Sequence, residues 1–206
     1  MADFIPMIQV ERASLAGFLV TMTPEQWAAP TWCEKWNVQQ VTGHLIAAAN
    51  VTAPHFFSGL AMTGFSFDAF VDKDLRKYAA GTPAEVEQRF EGIINSTRTP
   101  PGPKYVALGE VMCHGEDIRR ALGAKGEHPA EHLVTLAEFY KKTGAPLRAK
   151  KRLPGLKLTA TDVDWSTGDG PEVSGPAMSL ILAMVGRAKA LDDCDGPGVE
   201  ELRSRA

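Results

Sequence analysis

Apolar residues recur at the spacing of an α-helix over most of the first two-thirds of the chain. Residues 3–21 form the first such segment. Asn37 with Gln40 forms a capping-box pattern, which predicts the start of another helix that Pro54 is expected to end or kink. The remaining helices of this part are predicted at residues 66–79, 83–96, 104–122 and 129–142.

The pattern changes in the last third of the chain. Apolar and polar positions alternate from Leu156, and a Gly-Asp-Gly turn follows, which predicts a β-hairpin with strands at 156–165 and 171–174. An apolar helix then begins at Pro176 and ends near Gly186. The chain is therefore predicted to be mainly α, with a helical domain at residues 1–145 and a small α+β domain at residues 146–206.

Composition narrows the class of protein further. A chain of 206 residues with 44% hydrophobic and 23% charged residues is ordinary for a soluble globular protein. The formal net charge is −3, and the one basic run, residues 148–152, is more typical of a solvated linker than of a polynucleotide surface. We therefore expect no nucleic-acid partner.

The location of the protein is predicted from its apolar segments and cysteines. No apolar segment approaches the ~20 residues that span a bilayer, and the N-terminus lacks the basic region of a signal peptide. Cys33, Cys113 and Cys194 are odd in number and widely spaced, which disfavours a disulfide framework. We expect a protein of the reducing cytoplasm without a membrane partner.

Candidate chemistry starts with the stretch "EVMCHGEDIRRALG" (110–123), in which Glu110 and His114 are four residues apart. Such residues share one helix face with Cβ atoms about 6 Å apart, close enough for both to bind one cation. His44, on the apolar stripe of the helix after Asn37, is by itself more typical of a core histidine. Together, the three side chains would form a three-ligand site with an open coordination position, as in catalytic metal sites.

Three neighbouring residues have alternative interpretations. Asp117 would accept a hydrogen bond from the imidazole nitrogen of His114 that faces away from a metal, or form a salt bridge with Arg119 or Arg120. Cys113 is expected to face away from the Glu110–His114 line as a core thiol. Cys33 lies either near the site or in the core as a structural cysteine.

Several blocks of the sequence resemble the mycothiol-dependent maleylpyruvate isomerase family, a branch of the DinB-like four-helix-bundle superfamily. These blocks are "TMTPEQW" (21–27), "PTWCEKWNVQQVTGHL" (30–45), "GEVMCHGEDIRRALG" (109–123) and "LKLTATDVDWSTGDGPEVSGPAMSLILAMVGR" (156–187). The resemblance covers nearly the whole chain, although residues 50–100 carry no recognisable motif. It implies a DinB-like four-helix bundle followed by a small α+β C-terminal domain.

The resemblance also implies a chemistry. A divalent metal, usually zinc, would be held by His44, Glu110 and His114. The thiol cosubstrate would be mycothiol, the low-molecular-weight thiol of actinobacteria, acting in isomerisation of, or S-transfer to, a small electrophile. Arg187, after the C-terminal apolar helix, would supply the cation for an acidic or carbonyl substrate, or else complement the helix dipole.

Two other functions remain open from the sequence. A metal-binding bundle without turnover would serve as a sensor or binding module. A lipid carrier is suggested only by the likeness of the C-terminal module to a truncated sterol-carrier fold. The oligomeric state is also open, with a homodimer among the alternatives.

Overall fold

The computed structural model describes residues 4–144 and 148–206, and these residues divide into two compact units. The first unit is Met1–Gly126. Its helices are α1 (Phe4–Leu19), α2 (Pro24–Trp27), α3 (Val38–Asn50), α4 (Ala53–Met62), α5 (Phe67–Tyr78), α6 (Pro83–Glu91) and α7 (Lys104–Ala121).

Four of these helices form the predicted bundle. Helix α1 packs against α6 and α7, and α3 packs against the same two helices. Their apolar faces meet in one core that includes Leu15, Leu45, Phe90 and Ile118, all less than 5% exposed. The prediction of a four-helix bundle is confirmed.

Local capping explains why several helices begin where the sequence predicts. Asn37 accepts a hydrogen bond from the Gln40 backbone N–H, and the Gln40 side chain accepts one from the Asn37 backbone N–H. Pro54 neither ends nor kinks a continuous helix. Instead, Thr52 caps a new helix, α4, with Pro54 in its first turn, where a missing N–H removes no helical hydrogen bond.

Gly43 allows α5 to approach α3 directly beside His44. A Cβ atom at Gly43 would lie 2.6 Å from the Cβ and 2.7 Å from the backbone nitrogen of Ala79, which follows α5. Only glycine therefore fits this contact without a shift of the backbone.

Gly43→Ala is expected to destabilise the protein by roughly 1–3 kcal/mol, because a methyl group would be forced against a backbone. Gly17→Ala in α1 is the matched control, since a Cβ there meets nothing within 4 Å and should stabilise the helix by about 0.5–1 kcal/mol. Urea denaturation of both variants measures the difference, and equal midpoints would contradict this account of Gly43.

The second unit is Glu127–Ala206. It contains α8 (Ala130–Tyr140), α9 (Ala149–Arg152), β1 (Lys157–Ala160), β2 (Ser166–Thr167), β3 (Glu172–Gly175), α10 (Ala177–Met184), a 3-10 helix (Ala188–Asp193) and α11 (Val199–Arg205). The domain boundary predicted between residues 145 and 146 lies outside the described residues. The described residues divide after Gly126 instead, because α8 packs against α10 and so belongs with the second unit.

The sheet differs from the predicted hairpin. Its strand order is β2-β1-β3, with β2 antiparallel and β3 parallel to β1. Between β2 and β3 the chain passes close to the start of β1, where a Cβ on Gly168 would lie 2.2 Å from the Leu156 carbonyl oxygen. The glycine-rich segment thus returns the chain to the start of β1, so that β3 runs parallel to it.

None of the helices in residues 4–144 and 148–206 combines the length and the apolar character needed to cross a membrane.

Candidate metal centre

Helices α3 and α7 bring the three predicted ligands together. His44 lies in the middle of α3, and Glu110 and His114 lie one turn apart in α7. The Glu110 Oε2 atom is 2.7 Å from His44 Nε2 and 3.5 Å from His114 Nε2. The donor atoms of the three residues all lie within 4.8 Å of one another.

The three side chains are largely removed from solvent, with exposed fractions of 15% for His44, 29% for Glu110 and 12% for His114. Burial by itself would raise the pKa of Glu110. Hydrogen bonds with His114 and His44 outweigh burial and hold that pKa well below its usual range. The carboxylate is therefore ionised and ready to act as a ligand.

Asp117 adopts the first of its two predicted arrangements. Its Oδ2 atom lies 2.9 Å from His114 Nδ1, and its side chain is fully buried. Arg119 and Arg120 both form ion pairs with Glu116. A carboxylate on Nδ1 fixes the ring orientation and leaves Nε2, on the Glu110 side, as the metal-binding nitrogen.

A loop before α3 covers the cluster, and the sequence does not predict its role. The Trp32 backbone N–H donates to the Asp117 carbonyl oxygen at 3.2 Å. The Trp36 ring lies 5.0 Å from the His44 ring and 6.1 Å from the His114 ring, measured between centroids. The one feature of the sequence that points to this role is the position of Trp36 directly before Asn37, the N-cap of α3.

Cys33 lies on the same loop, near the site. Its sulfur belongs to a second group of close donor atoms with His114 and Asp117, and its side chain is only partly buried. By contrast, Cys113 on α7 is buried at 5% exposure, as expected for a core thiol.

Arg187 belongs to the second unit, just after α10. Its guanidinium donates a long hydrogen bond, 3.5 Å, to the Val185 carbonyl oxygen. This contact with a carbonyl near the end of α10 agrees with the alternative in which Arg187 complements the helix dipole. The catalytic role of Arg187 stays a prediction.

The donor set fits a divalent metal such as zinc. Two imidazole nitrogens and one carboxylate oxygen are the ligand types of catalytic zinc sites, which use three protein ligands. The outer partner on His114 Nδ1 is a further feature of such sites. Fold and cluster together define the first unit as a helical bundle with a candidate His-Glu-His metal centre.

Comparison with known proteins supports the family resemblance. Residues 8–103 match the model of the mycothiol maleylpyruvate isomerase N-terminal domain, which confirms the resemblance to that family over this part of the chain. The matched segment contains His44 and ends before Glu110.

The solved structures agree in fold. The crystal structure of a mycothiol-dependent maleylpyruvate isomerase matches with a TM-score of 0.65 at 16% identity, covering 94% of this chain and 91% of that chain. A mutant of such an isomerase gives the same coverage and TM-score at 15% identity. Among curated proteins, none matches the chain.

Proposed function

We propose that this protein is a divalent-metal- and mycothiol-dependent enzyme that isomerises, or transfers sulfur to, a small electrophile. The single observation that carries the proposal is the convergence of His44, Glu110 and His114 within 4.8 Å on two helices of the bundle. The family match over residues 8–103 supports mycothiol as the thiol. Zinc is the metal that the donor set favours.

Each residue of the site has its own proposed role. His44, Glu110 and His114 would hold the metal, and Asp117 would keep the His114 ring in place through Nδ1. A metal bound here would supply an ionised thiol at neutral pH, since a coordinated thiol loses its proton. The Trp36 ring, against both imidazoles, would limit the access of water to that side.

The thiolate accounts for both reactions by simple bond changes. In isomerisation, its sulfur adds to one carbon of an activated double bond, the resulting single bond rotates, and elimination restores the double bond and the thiolate. In S-transfer, the sulfur displaces a leaving group or opens the electrophile, and the sulfur stays on the product. Arg187 is proposed as the cation that orients an acidic or carbonyl substrate.

The reducing cytoplasm is the proposed location. Cys33, Cys113 and Cys194 are all free thiols in the structure, which supports this proposal.

A turnover assay tests the function. The zinc-loaded protein, mycothiol and maleylpyruvate, the substrate named for the related structures, are mixed and the isomer ratio is followed by NMR. We expect isomerisation that requires both thiol and metal and is absent in His44→Ala. Zinc binding and a thiol response without turnover of this or other activated alkenes would instead favour the non-catalytic binding module.

Asp117→Asn is expected to weaken zinc binding about 10–100-fold, the usual effect of losing an outer partner of a ligating histidine. The amide is similar in size, so the buried position stays filled while the charge that supports His114 Nδ1 is lost. Competition with a chelating dye measures the affinity. An unchanged zinc affinity would show that Asp117 does not support the metal site.

A further inference from the structure

Helix α4 presents its apolar side to solvent. Gly59 is the only buried residue of this helix, whereas Phe57 and Met62 are 62% and 74% exposed. Exposed apolar surface continues after α4 with Phe65, 78% exposed, and Phe67, 55% exposed. These four exposed residues form the α4–α5 patch. An ordinary surface helix has the opposite arrangement, with its apolar stripe toward the core and its polar residues in solvent.

Phe56 joins the part of the patch on α4 to the part on α5. Its ring centroid lies 5.4 Å from that of Phe57 and 6.5 Å from that of Phe67. On the opposite side of α4, Gly59 packs directly on Phe70 of α5, where a Cβ atom would lie 2.6 Å from the ring. The two helices therefore present the patch as one fixed surface.

Two further features hold the patch in place. His55 Nε2 lies 2.7 Å from Asp74 Oδ2, which ties α4 to α5 a second time. Phe65, in the turn between the helices, has a φ of 64°, in the left-handed region that bulky residues rarely adopt. The turn thus keeps a large exposed ring at a position that glycine or asparagine would occupy with less strain, and such strain is concentrated at functional surfaces.

The size of the patch corresponds to a protein interface. A phenylalanine side chain buries about 150–250 Å², and each of the three phenylalanines of the patch exposes more than half of its surface. With Met62, one copy therefore offers several hundred Å² of apolar surface, which is typical of an interaction site. Two copies together would bury about 1,000 Å², the size at which specific interfaces begin.

The charges near the patch favour a second copy of the chain over a lipid surface. Helix α4 contains no lysine or arginine, whereas helices that lie on membranes are rich in both. The exposed face of α5 is acidic near its start, at Asp68 and Asp72, and basic at its end, at Arg76 and Lys77. Across a two-fold axis perpendicular to α5, two copies of this helix run antiparallel, and the acidic start of each meets the basic end of the other.

We propose that the α4–α5 patch is the interface of a symmetric homodimer, in which the patch of each copy is covered by the same region of its partner. The apolar residues form the centre of this interface, and the charges of α5 set the antiparallel orientation at its rim. The interface uses none of His44, Glu110 and His114, so it is independent of the proposed function.

Sedimentation velocity of the zinc-loaded protein tests the dimer. The wild type is expected to be dimeric at micromolar concentrations, and Phe57→Glu to raise the dissociation constant at least about thirtyfold, the usual effect of losing an aromatic anchor. Val20→Glu is the matched control, since Val20 is 59% exposed and lies outside α4 and α5. Phe65→Asn is expected to weaken the dimer without lowering the thermal stability of the monomer, because asparagine tolerates the left-handed conformation.

Two charge variants test the antiparallel arrangement. One carries Asp68→Lys with Asp72→Lys, and the other carries Arg76→Glu with Lys77→Glu. Each variant alone places like charges opposite each other and is expected to dimerise at least about tenfold more weakly than the wild type. An equimolar mixture is expected to recover the dimer, because the two α5 helices then carry opposite charges. A mixture that dimerises as weakly as the separate variants would overturn this arrangement.

Three outcomes would overturn the interface itself. One is a wild type that stays monomeric at the highest soluble concentration. Another is a dimer that Phe57→Glu and Phe65→Asn leave unchanged, because it would then lie on a different face. The third is a monomeric wild type that co-sediments with phosphatidylglycerol vesicles while Phe57→Glu does not, which would assign the α4–α5 patch to a membrane surface.

Discussion

Glu110→Ala is expected to weaken zinc binding by more than the roughly 10–100-fold that follows the loss of an outer partner. Glu110 supplies the only carboxylate of the three-residue donor set, and its Oε2 atom lies 2.7 Å from His44 Nε2. Its removal leaves two imidazoles, one fewer than the three protein ligands of catalytic zinc sites. Competition of zinc between the protein and a chelating dye measures the effect.

The control for this prediction is Cys113→Ala. Cys113 lies on the same helix and offers a zinc ligand type, but it is buried away from the donor set. The zinc affinity of this variant should equal that of the wild type. A Glu110→Ala protein that binds zinc as tightly as the Cys113→Ala control would show that the metal, if bound, lies elsewhere.

Glu116→Ala is expected to destabilise the protein by about 3–5 kcal/mol, the usual effect of removing one partner of a buried ion pair. Glu116 is fully buried and accepts from Arg120 Nε at 2.8 Å and from the Gly126 backbone N–H at 2.7 Å. Arg119, itself 4% exposed, lies 3.7 Å away. The alanine variant would leave a buried guanidinium and a backbone donor without this acceptor.

Urea denaturation of the zinc-free protein measures this stability, so that loss of metal does not contribute. Glu91→Ala, at the exposed end of α6, is the matched control and should change the stability by less than about 0.5 kcal/mol. A loss below about 1 kcal/mol in Glu116→Ala would mean that the cluster contributes far less than buried pairs normally do.

The elements that the sequence predicts well are those whose signals are local. The start of α3 follows from Asn37 and Gln40, which lie three residues apart and cap each other. The Glu110–His114 pair is equally local, since four residues on one helix share a face whatever the rest of the fold. The sequence does not predict helix α4, because Pro54 is compatible with both the end of one helix and the first turn of the next.

The features that the sequence does not reveal depend on the path of the chain in space. The parallel pairing of β1 with β3 depends on the return of residues 168–171 across the start of β1. Trp36 meets both imidazoles only because the loop before α3 bends back onto α7, with Glu34 at a φ of 58°.

The central claim, a metal centre that binds and ionises a thiol, is tested most directly with cobalt-substituted protein. Absorption is recorded while mycothiol is added to the wild type and to His44→Ala. We predict that wild-type protein binds a single Co²⁺ ion and that mycothiol produces a sulfur-to-cobalt charge-transfer band, absent in His44→Ala. A cobalt-loaded wild type whose spectrum mycothiol leaves unchanged would contradict the account.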